Sequence, residues 1–532
     1  MDRAVISESE SRDTALRRPR ASLSSGPPAL QWQLFFVFLA LVSPVVINYS
    51  GYSLTWDESY YLGRIICINQ AVYDFRLSHL NDCFVHTHKG PIMGLVNLLW
   101  GRAGGTERGI GLAFVGLAIF IWILIVATYR TCLQSGISQI SLLLAACTIC
   151  LTPFLRSSGG AMMTDILLGW CIALALMLIP LEYCRPSKDF WPSVMRGLLW
   201  SLVIDVGILS KVTFLFFVCV ISIALLIIRE RYSGEYPLRY AFFSCIVGCM
   251  PALIIWRYYG LNFLRFALMV AWGDTAKLWS VPGMTPFGYL KRYFIQLGFA
   301  LIPLTVLLLR FIHGVVVQNE RRLARLLPLC IILAYLGIAA RSQNRDPRFA
   351  IPIMIVMPLC LAWASVKEQP RVRLGSVPII AALLLGTVFS VPMIHRPQLA
   401  PIQRAGALLS SLRGEQPMQR GLTKVVIATD GPAFNIDTFL LARQLDLHNL
   451  EGVDLDTLVY DAINKRTLED GLRRIDAADY VLFLKDNLEP GANWARVHAA
   501  EYRAYCEKVG VLLDSRISPD LVVFKIGKTH AP

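Results

Sequence analysis

Long apolar runs dominate this chain between about residue 31 and residue 394. Most are close to the twenty residues that an α-helix needs to cross a hydrocarbon core of about 30 Å. Within lipid every backbone N–H and C=O must find a partner inside the protein, so the runs predict membrane-spanning helices. We therefore predict an α-helical polytopic membrane protein with about eleven or more transmembrane helices. The candidate spans are 31–50, 108–129, 135–154, 161–181, 196–210, 212–228, 240–259, 288–309, 327–340, 349–365 and 375–394.

The composition agrees with this pattern. Of the 532 residues, 55% are hydrophobic and only 17% are charged, which excludes a soluble globular protein of this length. We assign the formal net charge of +14 first to Lys and Arg in cytoplasmic loops, and second to contact with anionic lipid or lipid phosphate. Because the basic residues are scattered among apolar helices instead of forming one stripe, the charge does not indicate a nucleic-acid partner.

The distribution of Lys and Arg predicts the orientation. Residues 1–30 are rich in Ser, Arg and Pro and are predicted to be a disordered cytoplasmic tail. An odd number of spans places the two termini on opposite sides. Connections predicted to be cytoplasmic carry basic residues, as the positive-inside rule requires: 130–136, 182–196, 229–239, 310–325 and 367–373. Basic residues on the other face imply either the reverse orientation or a face that binds an anion: Lys89, Arg156, Lys211, Arg257, Arg265, Arg345 and Arg348.

Two regions outside the spans have a different character. The long first outer loop, 51–107, contains an apolar stretch at 91–100 that is too short to span and predicts a helix along the membrane surface. Its Cys67 and Cys83 could form a disulfide if this loop faces an oxidising compartment. After the transmembrane domain of 31–394, short β-rich runs alternate with polar helical segments. Residues 395–532 are therefore predicted to form a small soluble α/β domain on the outer, periplasmic face.

Three carboxylates are candidate catalytic groups. Asp57 and Glu58 lie in TWDESYY (residues 55–61), just after the first span, and aromatic residues follow them at once. A solvated helix cap is the ordinary interpretation, but an acidic pair at the membrane rim favours a functional one. Asp165 lies one turn into an apolar span, where the alternatives are a catalytic group and a carboxylate stabilised by the helix macrodipole.

Four basic residues on the same predicted face are candidate phosphate ligands: Lys89, Lys211, Arg345 and Arg348. One such residue alone would be expected to snorkel toward water. Four of them, beside carboxylates, indicate a site that holds a phosphate near the bilayer surface. His86 and His88 form an H-x-H pair, but without evident third and fourth ligands the pair does not predict a metal site.

In these residues the sequence resembles the GT-C superfamily of polyprenyl-phosphate-sugar glycosyltransferases, on the branch of bacterial relatives of protein O-mannosyltransferases and lipid A aminoarabinose transferase. Asp57–Glu58 match the acidic motif of the first outer loop, and Lys89-Gly90-Pro91 match a Lys-Pro-Pro-type segment. Asp165, Lys211 and Arg348-Phe349-Ala350-Ile351-Pro352 follow in the family's order. Two departures are His88, where some relatives have Glu, and Phe349, where the late motif has Tyr.

The resemblance implies inverting transfer of a sugar from a polyprenyl phosphate carrier to a hydroxyl of a glycolipid, polysaccharide or protein, at the periplasmic face of a bacterial inner membrane. It implies Asp57 as the base, with Glu58 beside it, and Asp165 to position the acceptor or share that role. The phosphate ligands would be Lys89, Lys211, Arg345 and Arg348. No cofactor is certain, and a divalent metal remains possible. The alternatives are a transporter or flippase for a lipid-linked or anionic substrate, and a non-catalytic assembly subunit.

Overall fold

The described part of the predicted first outer loop, 51–107, is largely helical. A computed structural model describes residues 56–85, 89–105, 107–155, 164–184, 190–232, 238–272, 276, 284–317, 322–365, 400–414, 422–428, 431, 434–445, 450, 452–461, 464–485, 497–513 and 520–527. Within this loop, helices α1 (Trp56–Tyr73), α2 (Leu77–Val85) and α3 (Ile92–Asn97) precede a 3₁₀ segment (Leu98–Gly105). Five residues of α3 are buried, and α3 packs against α1. A helix thus forms within the stretch 91–100, and its location along the membrane surface stays a prediction.

Ten longer helices of the described chain follow the loop, and most are apolar. They are α4 (Glu107–Gln134), α5 (Gln139–Leu151), α6 (Thr164–Cys184), α7 (Phe190–Ser210), α8 (Phe214–Tyr232), α9 (Leu238–Ala271), α10 (Pro286–Leu297), α11 (Leu301–Val317), α12 (Arg322–Arg341) and α13 (Ile351–Ala364). Every candidate span that falls within the described residues overlaps one or two of them. The candidate spans 31–50 and 375–394 lie outside those residues.

Length and apolar composition identify the helices able to cross a membrane. In the described ranges four helical stretches qualify, and a bent pair in α9 would make five: Gly111–Gln134, Thr164–Glu182, Phe190–Ser210, Pro286–Val316, and Ser244–Arg257 with Gly260–Ala271. Helices α5, α8, α12 and α13 contribute shorter apolar segments. The chain is thus an integral membrane protein with several apolar helices, and the number of about eleven stays a prediction.

Two predicted spans differ from the helices that form. The span 240–259 is part of the longer α9, whose two halves meet at an angle of 74°. The span 288–309 is divided between α10 and α11 at Gly298, which has a φ of +51°. Because an L side chain rarely adopts that backbone conformation, glycine permits the break.

Helix α6 lies at the centre of the bundle. Its whole apolar window is buried inside the protein, and it packs against α4, α7, α8, α12 and α13. Ion pairs fasten α6 to the segment around α7 at both ends. Asp165 in the first turn of α6 pairs with Lys211 just beyond α7, and Glu182 near its last turn pairs with Arg196 in α7. The two helices therefore run antiparallel with a charged contact at each end.

A five-stranded mixed sheet with flanking helices forms after the last described membrane helix. Its strands are β1 (Thr423–Ile427), β2 (Val453–Thr457), β3 (Tyr480–Leu484), β4 (Gly510–Leu513) and β5 (Leu521–Ile526), in the order β2-β1-β3-β5-β4. Strands β1, β2 and β3 are parallel, while β5 is antiparallel to β3 and β4. The helices are α14 (Ala400–Gly414), α15 (Ile436–Gln444), α16 (Leu468–Asp476) and α17 (Ala499–Val509).

The two faces of this sheet pack on different partners. One face, with Val426, Val481 and Phe524, forms a separate core with α16 and α17. The opposite face, with Val425 and Leu482, belongs to the same continuous core as the membrane helices. Helix α15 makes this connection because it packs directly against α1. The sheet domain is therefore attached to the helix that carries the first acidic motif.

Candidate active site

The two acidic motifs begin neighbouring helices. Glu58 is the third residue of α1 and is 0% exposed, and Asp165 is in the first turn of α6 and is 3% exposed. The hydroxyls of Tyr61 and Thr164 lie 3.0 Å apart and share a hydrogen bond, which joins the second turn of α1 to the start of α6. Asp57 precedes Glu58 in α1, and its side chain lies outside the described part of the structure.

Asp165 and Lys211 form the central ion pair. The Lys211 ammonium donates to Asp165 Oδ1 at 2.5 Å, and the side chains are 23% and 5% exposed respectively. The Lys211 N–H also bonds the carbonyl of Gly207, which closes the last turn of α7. A carboxylate at a helix N-terminus and an ammonium at a helix C-terminus are both favoured by the macrodipoles. The helix ends themselves therefore stabilise this pair.

Lys89 approaches the same place from the first outer loop. Its Nζ lies 4.8 Å from the centre of the Tyr60 ring and 5.2 Å from that of Tyr61, so both rings contact it by cation–π interaction. The next residue, Gly90, is buried against the end of α7. A Cβ at Gly90 would lie 1.8 Å from the Leu209 carbonyl oxygen. Because Gly90 has no side chain, the backbone next to Lys89 can lie against the end of α7, where Lys211 follows.

The late motif reaches this site through Phe349. Lys211 Nζ lies 5.6 Å from the centre of the Phe349 ring. Phe349 follows Arg348 in a short 3₁₀ helix (Pro347–Ala350) that leads into α13. Arg348 donates from Nε and Nη2 to Asp346 Oδ2 at 2.9 and 2.6 Å, and Asp346 also caps the 3₁₀ helix. Arg348 therefore lies next to the residue that contacts Lys211, but its guanidinium is paired with the carboxylate of Asp346.

Arg345 occupies a different kind of position. Its Nε donates to the carbonyl of Ala340 at 3.1 Å, and its Nη1 donates to the carbonyl of Met284 at 2.6 Å. Met284 immediately precedes Thr285, the N-cap of α10. Arg345 thus ties the end of α12 to the start of α10, and its role as a phosphate ligand stays a prediction.

Arg64 is a further cation beside Tyr60, and the charge pattern of the sequence does not single it out. Its guanidinium carbon lies 5.2 Å from the centre of the Tyr60 ring, and its Nη1 donates to the carbonyl of Cys83 at 3.1 Å. Cys83 is bonded to Cys67, so the disulfide predicted for an oxidising compartment is present and joins α1 to α2. Arg64 lies four residues after Tyr60 on one helix, which is the spacing of side chains that touch. This four-residue spacing is the feature of the sequence from which the contact between Arg64 and Tyr60 could have been predicted.

The site is polar without an evident metal centre in the part of the chain described. No group of three or more His, Cys, Asp and Glu side chains there could hold a metal ion. His86 and His88 lie outside the described residues, so a divalent metal stays a prediction from the sequence. Two buried carboxylates, Glu58 and Asp165, lie near the ends of α1 and α6. The candidate phosphate ligands near them are Lys89, Lys211 and Arg348. Such a cluster can accept a proton from a hydroxyl and stabilise an anionic leaving group.

The fold is shared with solved membrane enzymes. It matches the crystal structure of ArnT from Cupriavidus metallidurans bound to undecaprenyl phosphate with a TM-score of 0.58 and 12% identity, over 93% of this chain and 98% of that one. The apo structure of ArnT gives a TM-score of 0.53 with 12% identity, over 94% and 98%. An oligosaccharyltransferase of Archaeoglobus fulgidus gives 0.45 with 13% identity, over 94% and 75%, which is too low to carry an argument.

Sequence comparison adds nothing to this likeness: no family model matches the chain, and no curated protein matches it. At 12% identity the likeness to ArnT shows the fold alone, and the predicted resemblance is confirmed at the level of the fold.

Proposed function

We propose that this chain is an inverting glycosyltransferase that moves a sugar from a polyprenyl phosphate carrier to a hydroxyl acceptor. The observation that carries the proposal is the half-buried Asp165–Lys211 ion pair, with Glu58 and Lys89 near the start of the neighbouring helix α1, in a GT-C fold. ArnT, which shares that fold, was crystallised with undecaprenyl phosphate, a carrier of the proposed kind. The donor would be a polyprenyl-phosphate sugar, and the acceptor a glycolipid, polysaccharide or protein in or near the membrane.

Each proposed role follows from the chemistry of the group. The acceptor hydroxyl loses its proton to a carboxylate, for which we propose Asp57 with Glu58 beside it. The oxygen then attacks the anomeric carbon from the face opposite the phosphate, and the bond between that carbon and the phosphate oxygen breaks. Lys89, Lys211 and Arg348 would stabilise the charge that develops on the departing polyprenyl phosphate. Asp165 would hold Lys211 and position the acceptor.

The proposed topology places this chemistry outside the cytoplasm. We propose about eleven spans within residues 31–394, a cytoplasmic tail of residues 1–30, and residues 395–532 as a domain on the periplasmic side of a bacterial inner membrane. The basic loops 130–136 and 310–325 support this orientation. Cysteine labelling tests it: the segment containing Lys89 should react from outside and the loop around Arg321 from inside. Reaction of both from one side would contradict the topology.

The function is tested with the purified full chain in detergent, a polyprenyl-phosphate sugar and a membrane extract as acceptor source. A glycosylated product is expected with the wild type. Asp57→Asn keeps the size of the side chain but removes its basicity, so turnover should fall by about 10²-fold or more while carrier binding persists. A protein that moves a lipid-linked substrate across liposomes and forms no product would be a transporter instead. Full turnover by Asp57→Asn would transfer the role of base to Asp165.

A further inference from the structure

Two consecutive tyrosines of α1 form an aromatic corner around Lys89. The rings of Tyr60 and Tyr61 lie edge to face, with their centres 6.1 Å apart and their planes inclined by 80°. Lys89 Nζ lies 4.8 Å from the centre of the Tyr60 ring and 5.2 Å from that of Tyr61. An ammonium within about 6 Å of a ring centre is attracted by the π electrons of that ring. Both rings therefore contact the same ammonium.

The two rings of the corner are fixed by different contacts. Tyr61 is 4% exposed, and its hydroxyl shares a hydrogen bond with Thr164 Oγ1 at 3.0 Å, so its ring is attached to the start of α6. Tyr60 is half-buried, and its ring contacts Arg64, whose guanidinium carbon lies 5.2 Å from the ring centre. One ring is thus fixed by α6, and the other is fixed by Arg64.

Arg64 is itself held by the disulfide-bonded segment. Its Nη1 donates to the carbonyl of Cys83 at 3.1 Å. Cys83 is bonded to Cys67, which lies on α1 three residues after Arg64. The disulfide therefore keeps the accepting carbonyl beside Arg64. The contacts run without a gap from the disulfide through Arg64 and Tyr60 to Lys89.

An aromatic ring restrains a cation in a different way from a carboxylate. Of the other proposed phosphate ligands, Lys211 is paired with Asp165 and Arg348 with Asp346, so a carboxylate offsets each of these charges. A ring carries no net charge, and it restrains the flexible stem of Lys89 without offsetting the charge of the ammonium. A cation restrained in advance binds an anion more tightly, because less conformational entropy is lost on binding.

We propose that Tyr60 is a positioning residue of the donor site. Its ring holds the Lys89 ammonium where the phosphate of the polyprenyl phosphate carrier binds, and Arg64 holds that ring in place. The inference rests on the proposed function, in which Lys89 binds this phosphate. It also gives the disulfide a role in the site, because the disulfide fixes the carbonyl to which Arg64 donates.

The test measures binding of undecaprenyl phosphate to the purified full chain. Tyr60→Leu removes the ring, so the Kd should rise by about 3- to 30-fold, the factor that one cation–π contact contributes. Tyr60→Phe keeps the ring and should bind within about twofold of the wild type. Tyr73→Leu is the matched control, since Tyr73 is another half-buried tyrosine of α1 and its hydroxyl donates to the carbonyl of Leu98. Its Kd should also stay within about twofold of the wild type.

A second background shows whether Tyr60 and Arg64 act through Lys89. Lys89→Met keeps an unbranched side chain and removes the ammonium. In that background Tyr60→Leu should change the Kd by less than about twofold, because a positioning residue loses its effect together with the group that it positions. Arg64→Met should weaken binding by about two- to fivefold in the wild type and should lose this effect in Lys89→Met. An Arg64 effect that persists there would show direct contact with the phosphate and would overturn the role assigned to Arg64.

Undecaprenol, which lacks the phosphate, separates phosphate recognition from damage to the fold. The wild type and Tyr60→Leu should bind it equally. The inference is overturned if Tyr60→Leu binds undecaprenyl phosphate like the wild type, if Tyr60→Phe or Tyr73→Leu weakens binding as much, if undecaprenol binding falls equally, or if the effect of Tyr60→Leu persists without Lys89. In each of these cases weakened binding by Lys89→Met alone would leave the proposed function standing. A wild type that binds no undecaprenyl phosphate would refute the proposed function itself.

Discussion

Removing one partner from each ion pair of helix α6 should separate stability from activity. Lys211→Met leaves the Asp165 carboxylate, 5% exposed, without its ammonium. Breaking a buried pair in this way costs about 3–5 kcal/mol, because a lone charge stays in a poorly solvated place. Asp165→Asn leaves Lys211, which is 23% exposed and can turn toward water, so its cost should be nearer 1 kcal/mol. The double variant removes both charges and should recover most of the stability lost by Lys211→Met.

The second pair at the other end of α6 is the matched control. Arg196 donates to Glu182 at 2.9 Å, and the side chains are 18% and 10% exposed, close to the values of the first pair. Arg196→Met should therefore destabilise the protein by a similar amount. It lies at the predicted cytoplasmic end, far from the proposed phosphate, so turnover of the folded fraction should stay at the wild-type level. Lys211→Met should lose about 10²- to 10³-fold in turnover, as for loss of one preorganised charge.

The assay combines apparent melting temperature in detergent with turnover normalised to folded protein. The order of melting temperature should be wild type, then Asp165→Asn, then Lys211→Met, with the double variant above Lys211→Met. Wild-type turnover in folded Lys211→Met would show that the pair only fastens α6 to α7. Equal loss of turnover in Arg196→Met would show that any change in this helix pair disturbs catalysis, and would remove the evidence for Lys211 as a phosphate ligand.

Three other predictions follow from single contacts. Gly90→Ala should abolish activity, because its Cβ would overlap the Leu209 carbonyl; turnover of detergent-purified variant checks this. Replacing both members of Cys67–Cys83, which are 16 residues apart, with Ser should destabilise the first outer loop by about 3 kcal/mol, seen as faster proteolysis. In the sheet domain, burial raises the pKa of Asp456, but hydrogen bonds from the Arg474 guanidinium and the Thr457 backbone N–H outweigh burial and hold the pKa below its usual value. The stability that Asp456 contributes should be present above a pH of about 4 and should be lost as the pH falls below that value. Hydrogen exchange of the α16 backbone amides measures this loss, and Asp456→Asn, which cannot ionise, is the control.

The apolar pattern predicted the membrane helices because a helix buried in lipid or in a bundle needs apolar side chains along its whole length. The helix breaks carry no such signal. Gly298 has apolar residues on both sides, so the division of 288–309 into α10 and α11 is invisible to periodicity. The stretch at 91–100 was correctly predicted to be helical, but the burial of α3 depends on its packing against α1, which is a tertiary contact that the pattern does not show.

The candidate site was predicted as a set of residues and not as a set of pairs. Charge at the ends of apolar runs selects Asp165 and Lys211, but only the fold shows that they bond across 46 positions. The same signal selects Arg345, whose partners are backbone carbonyls and therefore leave no trace in a pattern of charges.

Helix α1 shows how the sheet domain bears on the proposed chemistry. Its second turn is joined to α6 through Tyr61 and Thr164, while α15 of the sheet domain also packs against it. The fit to α15 is close, because a Cβ at Gly63 would lie 2.8 Å from Gln444 Oε1. A helix packed on two sides has little freedom to tilt, and a general base must be held within hydrogen-bonding reach of its substrate. Attachment of the sheet domain to α1 thus fixes the segment from which the proposed base acts.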